Sequence, residues 1–97
     1  MFARVSTVKG TPQTVEGGIR NYREETIPAV NATAGFKGAY LLADRNSGRM
    51  ISITLWETEK ALQDSSAVAN RLRAQASQVA QAKEAPTVEI FEVAIHP

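Results

Sequence analysis

Gly35-Phe36-Lys37-Gly38-Ala39-Tyr40-Leu41-Leu42-Ala43 is followed by Asp44-Arg45-Asn46-Ser47-Gly48, and then by Arg49-Met50-Ile51-Ser52-Ile53-Thr54-Leu55-Trp56-Glu57-Thr58-Glu59-Lys60-Ala61-Leu62. The stretch reads as a strand, a tight turn, a second strand ending on the only tryptophan, and a capped helix start. In the first strand Phe36, Tyr40 and Leu42 share one parity; Ala39, Leu41 and Ala43 share the other. In the second, Met50 to Glu57, the residues Ile51, Ile53 and Leu55 make a wholly apolar face. Met50, Ser52, Thr54 and Trp56 make a mixed one. Asn46 and Gly48 are expected to supply the positive-φ positions of the hairpin loop. A sheet that is apolar on both faces needs covering twice.

Working outward, Phe2 to Val8 alternates loosely and is rich in β-branched residues, which predicts a strand. Gly10-Thr11-Pro12 stops it, with Thr11 a good N-cap and Pro12 suited to the first helical position. Val15, Ile19, Tyr22, Thr26 and Val30 recur at helical spacing. Gly17 and Gly18 weaken that helix by roughly 1 kcal/mol each. Pro28 is expected to kink or end it, with fraying over Asn31–Gly35. Beyond the hairpin, Thr58 caps a helix through Ala61, Leu62, Val68, Ala69, Leu72, Ala76 and Val79, with a break expected at Ser65-Ser66. Pro86 closes that region and Thr87 to Ile95 reads as a fourth strand. The order is βαββαβ: an α+β, ferredoxin-like domain with an antiparallel four-stranded sheet, expected to be a single domain over 1–97.

In such a domain both helices cover one sheet face and the other is normally polar. Here the uncovered face is apolar whichever parity is chosen, so a second copy is expected to cover it in a symmetric homodimer. At 97 residues a single chain buries only a modest core, and association adds to it. There is no cysteine, which removes disulfides, thiolate catalysis and soft metal ligands. The single histidine, His96, cannot build a multi-histidine metal site, and its place near the C-terminus argues against a catalytic role. Eleven basic and ten acidic residues are scattered, so no nucleic-acid footprint is expected. No apolar run approaches membrane length, and the beginning of the chain has no signal-peptide pattern; a cytoplasmic protein with no membrane partner is the expectation.

The Gly35-Phe36-Lys37-Gly38-Ala39-Tyr40 stretch, and Leu55-Trp56-Glu57-Thr58 with Ala61-Leu62, resemble the antibiotic biosynthesis monooxygenase domains of the dimeric α+β barrel superfamily. The resemblance covers essentially the whole chain. It implies a cavity beside the sheet that holds a small aromatic molecule, and in one branch a cofactor-free oxidation of polycyclic phenols to quinones. In that branch a tryptophan at the end of strand three lines the cavity, and Trp56 matches it. An asparagine four residues earlier is replaced by Ser52, and a tyrosine six residues later by Leu62. A helix arginine also contributes there, for which Arg71 or Arg73 can stand in. The haem-degrading branch needs an asparagine on strand one, a tryptophan early in the second helix and a histidine ligand. Here those regions offer Ser6 and Thr7, Ser65, and no histidine before His96, which argues against that branch.

Two functions are therefore carried forward. In the first, a cofactor-independent monooxygenase acts on an aromatic or quinol-like molecule. Trp56 and one of Arg71 and Arg73 serve as catalytic candidates, with Tyr22, Tyr40, Ser52, Thr54 and Leu62 around the substrate. In the second, a non-catalytic ligand-binding or stress-associated barrel keeps the fold without the site. For each aromatic a packing role weighs more than a chemical one, since cavities of this kind are mostly apolar walls. Arg71 and Arg73 lie two apart on a helix, so only one of them can face a cavity. No phosphate loop, HExxH, nucleophile elbow or dinucleotide fingerprint occurs, and no cofactor or metal is expected.

Overall fold

The computed structural model describes residues 1–97. Strand β1 (Phe2–Lys9) leads through a 3-10 turn at Pro12–Thr14 into α1 (Val15–Asn21). Five π-helical residues, Tyr22–Thr26, join α1 to α2 (Ile27–Asn31). The hairpin β2 (Phe36–Ala43) and β3 (Arg49–Trp56) follows, then α3 (Glu59–Asp64), α4 (Ser66–Val79) and β4 (Thr87–Glu92). The sheet order is β2-β3-β1-β4 and every neighbouring pair is antiparallel. This is the ferredoxin-like arrangement expected from the element order.

Local chemistry explains most boundaries. The Thr58 hydroxyl accepts the Ala61 N–H at 3.0 Å, capping α3 as its sequence position predicts. Ser65 separates α3 from α4, so the expected break is real. Pro28 does not end its helix. The backbone widens to π geometry in the turn before it, which accommodates a ring without an N–H, and α2 then runs to Asn31. In the hairpin loop the Asp44 carboxylate accepts from the Asn46 N–H at 3.0 Å and the Ser47 hydroxyl at 2.9 Å. Only Gly48 takes positive φ there (+84°); Asn46 does not, because the aspartate turn already shapes the loop. β4 ends at Glu92 rather than Ile95, with one further bond from the Val93 N–H to the Met1 carbonyl.

Register decides which face each side chain joins. Trp56 pairs with Phe36, whereas Leu55 pairs with Gly38, so Lys37 is a bulge. The extra residue flips parity: Phe36 lies on the helix side, while Tyr40 and Leu42 point away from the helices. The shared parity read from the sequence is therefore broken at one residue. On the helix side, the Trp56 end of the sheet holds a hydrophobic core of Val30, Trp56, Leu62 and Leu72, flanked by Phe2, Phe36 and Val68. The wholly apolar face of β3 looks outward, not toward the helices. Val5, Ile53 and Tyr40 form one cross-strand row on that face, and Tyr40, Leu42 and Phe91 are 60%, 50% and 50% exposed.

Candidate functional site

The mixed face of β3 lies beneath the helices. Arg4, Ser6 and Val8 of β1 pair with Thr54, Ser52 and Met50 of β3, setting a polar row beside an apolar one on the cavity floor. Tyr22 and Thr26 come down from the π-helical turn, and Leu72 and Arg73 from α4. The space they enclose is about 70 Å³ and is partly open to solvent. That is several times what a single water needs. Gly18 is the close approach that sets one wall: a Cβ there would collide with the Met50 thioether methyl.

The cavity's hydrogen bonds are organised around two residues. The Tyr22 hydroxyl lies 2.8 Å from Ser52 Oγ and 3.4 Å from the Tyr40 carbonyl oxygen. A phenol has one proton to give, so when Ser52 donates to Tyr22 the phenol can donate to the carbonyl. Arg4 donates from Nη1 to Ser65 Oγ at 2.9 Å and from Nη2 to the Leu62 carbonyl at 2.8 Å. Its guanidinium sits 6.0 Å from the Trp56 ring centre, within cation–π range. Arg4 thus ties the central strand to the α3–α4 junction and still has unused N–H groups. Arg73 donates from Nη2 to Asn70, but its Nη1 is buried with no partner. Leaving such a donor unpaired costs on the order of 1–3 kcal/mol.

Charge in the cavity is one-sided: Arg4 and Arg73 line it and no acidic residue does. Burial, and secondly the charge of Arg73, lowers the Arg4 pKa; burial lowers that of Arg73. Both remain cations at neutral pH, as guanidinium groups do. Burial raises the Tyr22 phenol above its ordinary value, opposed in part by the Ser52 hydrogen bond. Tyr22 is therefore a neutral donor and acceptor at physiological pH, not a base. The same shift has a stability consequence. From about pH 10 up to the native Tyr22 pKa, the unfolded chain gives up a proton that the native protein keeps, so stability falls as pH rises. Denaturant melts from pH 9 to 11.5 should show a shallower alkaline loss in Tyr22→Phe than in the unmodified protein.

The candidates from the sequence separate cleanly. Tyr22, Ser52, Thr54 and Arg73 line one cavity. Trp56 does not; it is fully buried in the core and reaches the cavity floor only by donating its indole N–H to Thr54 Oγ1 at 3.0 Å. Leu62 is fully buried beside it. Tyr40 offers the cavity region its backbone carbonyl while its ring lies on the outer sheet face. Arg71 is exposed, so of the two arginines Arg73 faces the cavity, as the helical offset demands. Arg4 and Ser6 are cavity residues that the sequence does not single out. Their only signal is a shared parity with Val8, which gains meaning once the register sets them opposite Thr54 and Ser52. No three histidine, aspartate or glutamate side chains converge anywhere to hold a metal ion.

This fold is the one seen in antibiotic biosynthesis monooxygenase structures. A monooxygenase from the gene ActVA-Orf6 of Streptomyces coelicolor, in complex with the ligand nanaomycin D, superposes with a TM-score of 0.78 at 20% identity, over 99% of this chain and 91% of that one. A mutant form of SnoaB, a cofactor-independent oxygenase from Streptomyces nogalater, superposes with a TM-score of 0.70 at 16% identity, over 98% of this chain and 94% of that one. The resemblance read from the sequence holds at the level of the fold. No family model matches the chain. Among curated proteins, the uncharacterized protein Rv2557 of Mycobacterium tuberculosis strain H37Rv is 31% identical over 94 residues, covering 97% of this chain and 41% of its own length. The chain spans less than half the length of the curated relatives it matches. No helix is long and apolar enough to cross a membrane.

Proposed function

We propose that residues 1–97 form one domain of a cytoplasmic, cofactor-independent monooxygenase that acts on an aromatic or quinol-like small molecule. The observation that carries this reading is the cavity between sheet and helices, lined by a Tyr22–Ser52 hydroxyl pair, Thr54 and Arg73. Of the proteins that share the fold, one is a monooxygenase holding nanaomycin D and another is a cofactor-independent oxygenase. The reaction is a phenol plus dioxygen giving a quinone plus water. None of the cavity's side chains is a carboxylate or imidazole, so none titrates near neutral pH. The site therefore works by stabilising the ionised substrate, with Arg73 as the electrostatic partner of the phenolate and Tyr22 and Ser52 as donors that orient it. Turnover should then rise with pH along the substrate's own ionisation.

The subunits are proposed to pair through the outer sheet face as a homodimer, the cover that Ile51, Ile53, Leu55, Tyr40 and Leu42 call for. A second reading, a ligand-binding domain without catalysis, is favoured by one observation: the tryptophan expected in the cavity wall is sealed in the core, with Leu62 packed beside it. Quinone formation from a dihydroxynaphthalene or anthrone under oxygen separates the two. The oxygenase reading expects turnover above the protein-free rate, a loss of about 100-fold in Arg73→Met, and little change in Arg71→Met. Rates equal to the protein-free control would leave the ligand-binding reading standing.

A further inference from the structure

Arg4 and Arg73 enter one cavity from opposite layers, β1 below and α4 above, and no acidic side chain lines it. Buried guanidinium N–H groups are ordinarily paired with carboxylates or otherwise hydrogen-bonded. Arg4 has two of its five N–H groups committed, to Ser65 and Leu62, and Arg73 leaves Nη1 with nothing. Two cations lining one cavity, neither with all its donors committed, suit an anion whose charge is shared over two oxygens. A phenolate, with one oxygen, engages Arg73 alone and leaves the spare Arg4 donors unused. A planar carboxylate offers two, each able to take an N–H from a different guanidinium.

The rest of the lining defines what carries that head group. Val8, Leu41, Met50 and Leu72 make an apolar wall against which a ring can lie. A free phosphate dianion would lose its hydration against that wall without gaining apolar contact. We propose that the cavity binds a small aromatic carboxylate, its carboxylate held between Arg4 and Arg73 and its ring lying against Met50 and Leu72. The inference rests on the cavity being a small-molecule site, as proposed above, and not on oxygenation taking place there.

Binding is measured under nitrogen, by NMR titration of the intact protein, with benzoate, neutral benzamide and inorganic phosphate as probes. Expected are shifts of the Ser6, Ser52 and Thr54 amides on adding benzoate, with benzamide and phosphate each at least tenfold weaker. Arg73→Met should weaken benzoate at least tenfold and leave benzamide unmoved, and Arg73→Lys should restore part of the loss. Arg73 is the residue to change because Arg4 also ties β1 to the α3–α4 junction. Matching melts of the Arg73 variants and the unmodified protein establish that the fold is intact. Benzamide or phosphate binding as tightly as benzoate, benzoate affinity unchanged in Arg73→Met, or no binding by any probe would each overturn the proposal. Benzoate binding with no quinone formation in the aerobic assay sinks the oxygenase reading alone. Turnover of a neutral quinol without benzoate binding sinks the carboxylate site alone.

Discussion

Trp56→Ala is expected to destabilise the protein by about 3–5 kcal/mol, which for a chain of this size lowers the melting temperature by more than about 12 °C. Four losses combine. The fully buried indole leaves a cavity among Val30, Leu62 and Leu72. Its edge-on contact with Phe36, centroids 5.6 Å apart and planes at 66°, disappears. The Thr54 hydroxyl loses its indole donor, and the Arg4 guanidinium loses the aromatic face it rests near. Trp56→Phe should keep most of the packing and cost far less. Circular-dichroism melts measure all three proteins, since removing the only tryptophan also removes the fluorescence signal. The comparison separates two roles. A cavity-wall tryptophan would make Trp56→Phe costly to ligand binding and cheap to stability. The observed burial predicts a stability cost with ligand affinity changed less than threefold.

How the sequence conceals this follows from where register comes from. Element order and the capped start at Thr58 are local properties, legible from residue types a few positions apart. Facing is not local. The bulge at Lys37 moves Phe36 to the opposite face from Tyr40, and nothing in the alternation marks it. For the same reason Tyr40 reads as a cavity residue although its ring lies on the outer sheet face. The two faces of β3 are easy to tell apart, but not which one the helices cover. Covering the mixed face puts Ser52, Thr54 and Met50 under α4 and leaves Ile51, Ile53 and Leu55 outside. That choice makes chemical sense only with the partners supplied by β1. Arg4 and Ser6 form a polar row with Thr54 and Ser52, and a buried polar row needs hydrogen-bond partners or a ligand. Helical offset, by contrast, is a local rule, and it limits the cavity to one of Arg71 and Arg73.

Ile53→Glu is expected to convert the proposed homodimer into monomers. Ile53 sits at the centre of the outer face, flanked in one cross-strand row by Val5 and Tyr40. A two-fold interface brings the same patch of both copies together, so one substitution places two carboxylates in the apolar centre at once. Burying an unpaired charge there costs more than most dimers of this size can absorb. Light scattering should give a mass near twice 10.5 kDa for the unmodified protein and near 10.5 kDa for the variant. The unmodified protein should also melt at a temperature that rises with concentration, and the variant should not. Unfolding of the variant is not expected, because Ile53 faces away from the helices and takes no part in the subunit core. Mixing Ile53→Glu with Ile53→Lys should rebuild the dimer as a charge-paired heterodimer, a result that general destabilisation cannot produce. A mass near one chain for the unmodified protein at micromolar concentration would overturn the interface. The cavity lies on the other side of the sheet, so the monomeric variant should still bind benzoate, provided the floor formed by Ser6, Ser52 and Thr54 stays flat. Loss of binding on monomerisation would instead mean that the second copy sets the twist of the sheet on which the site is built.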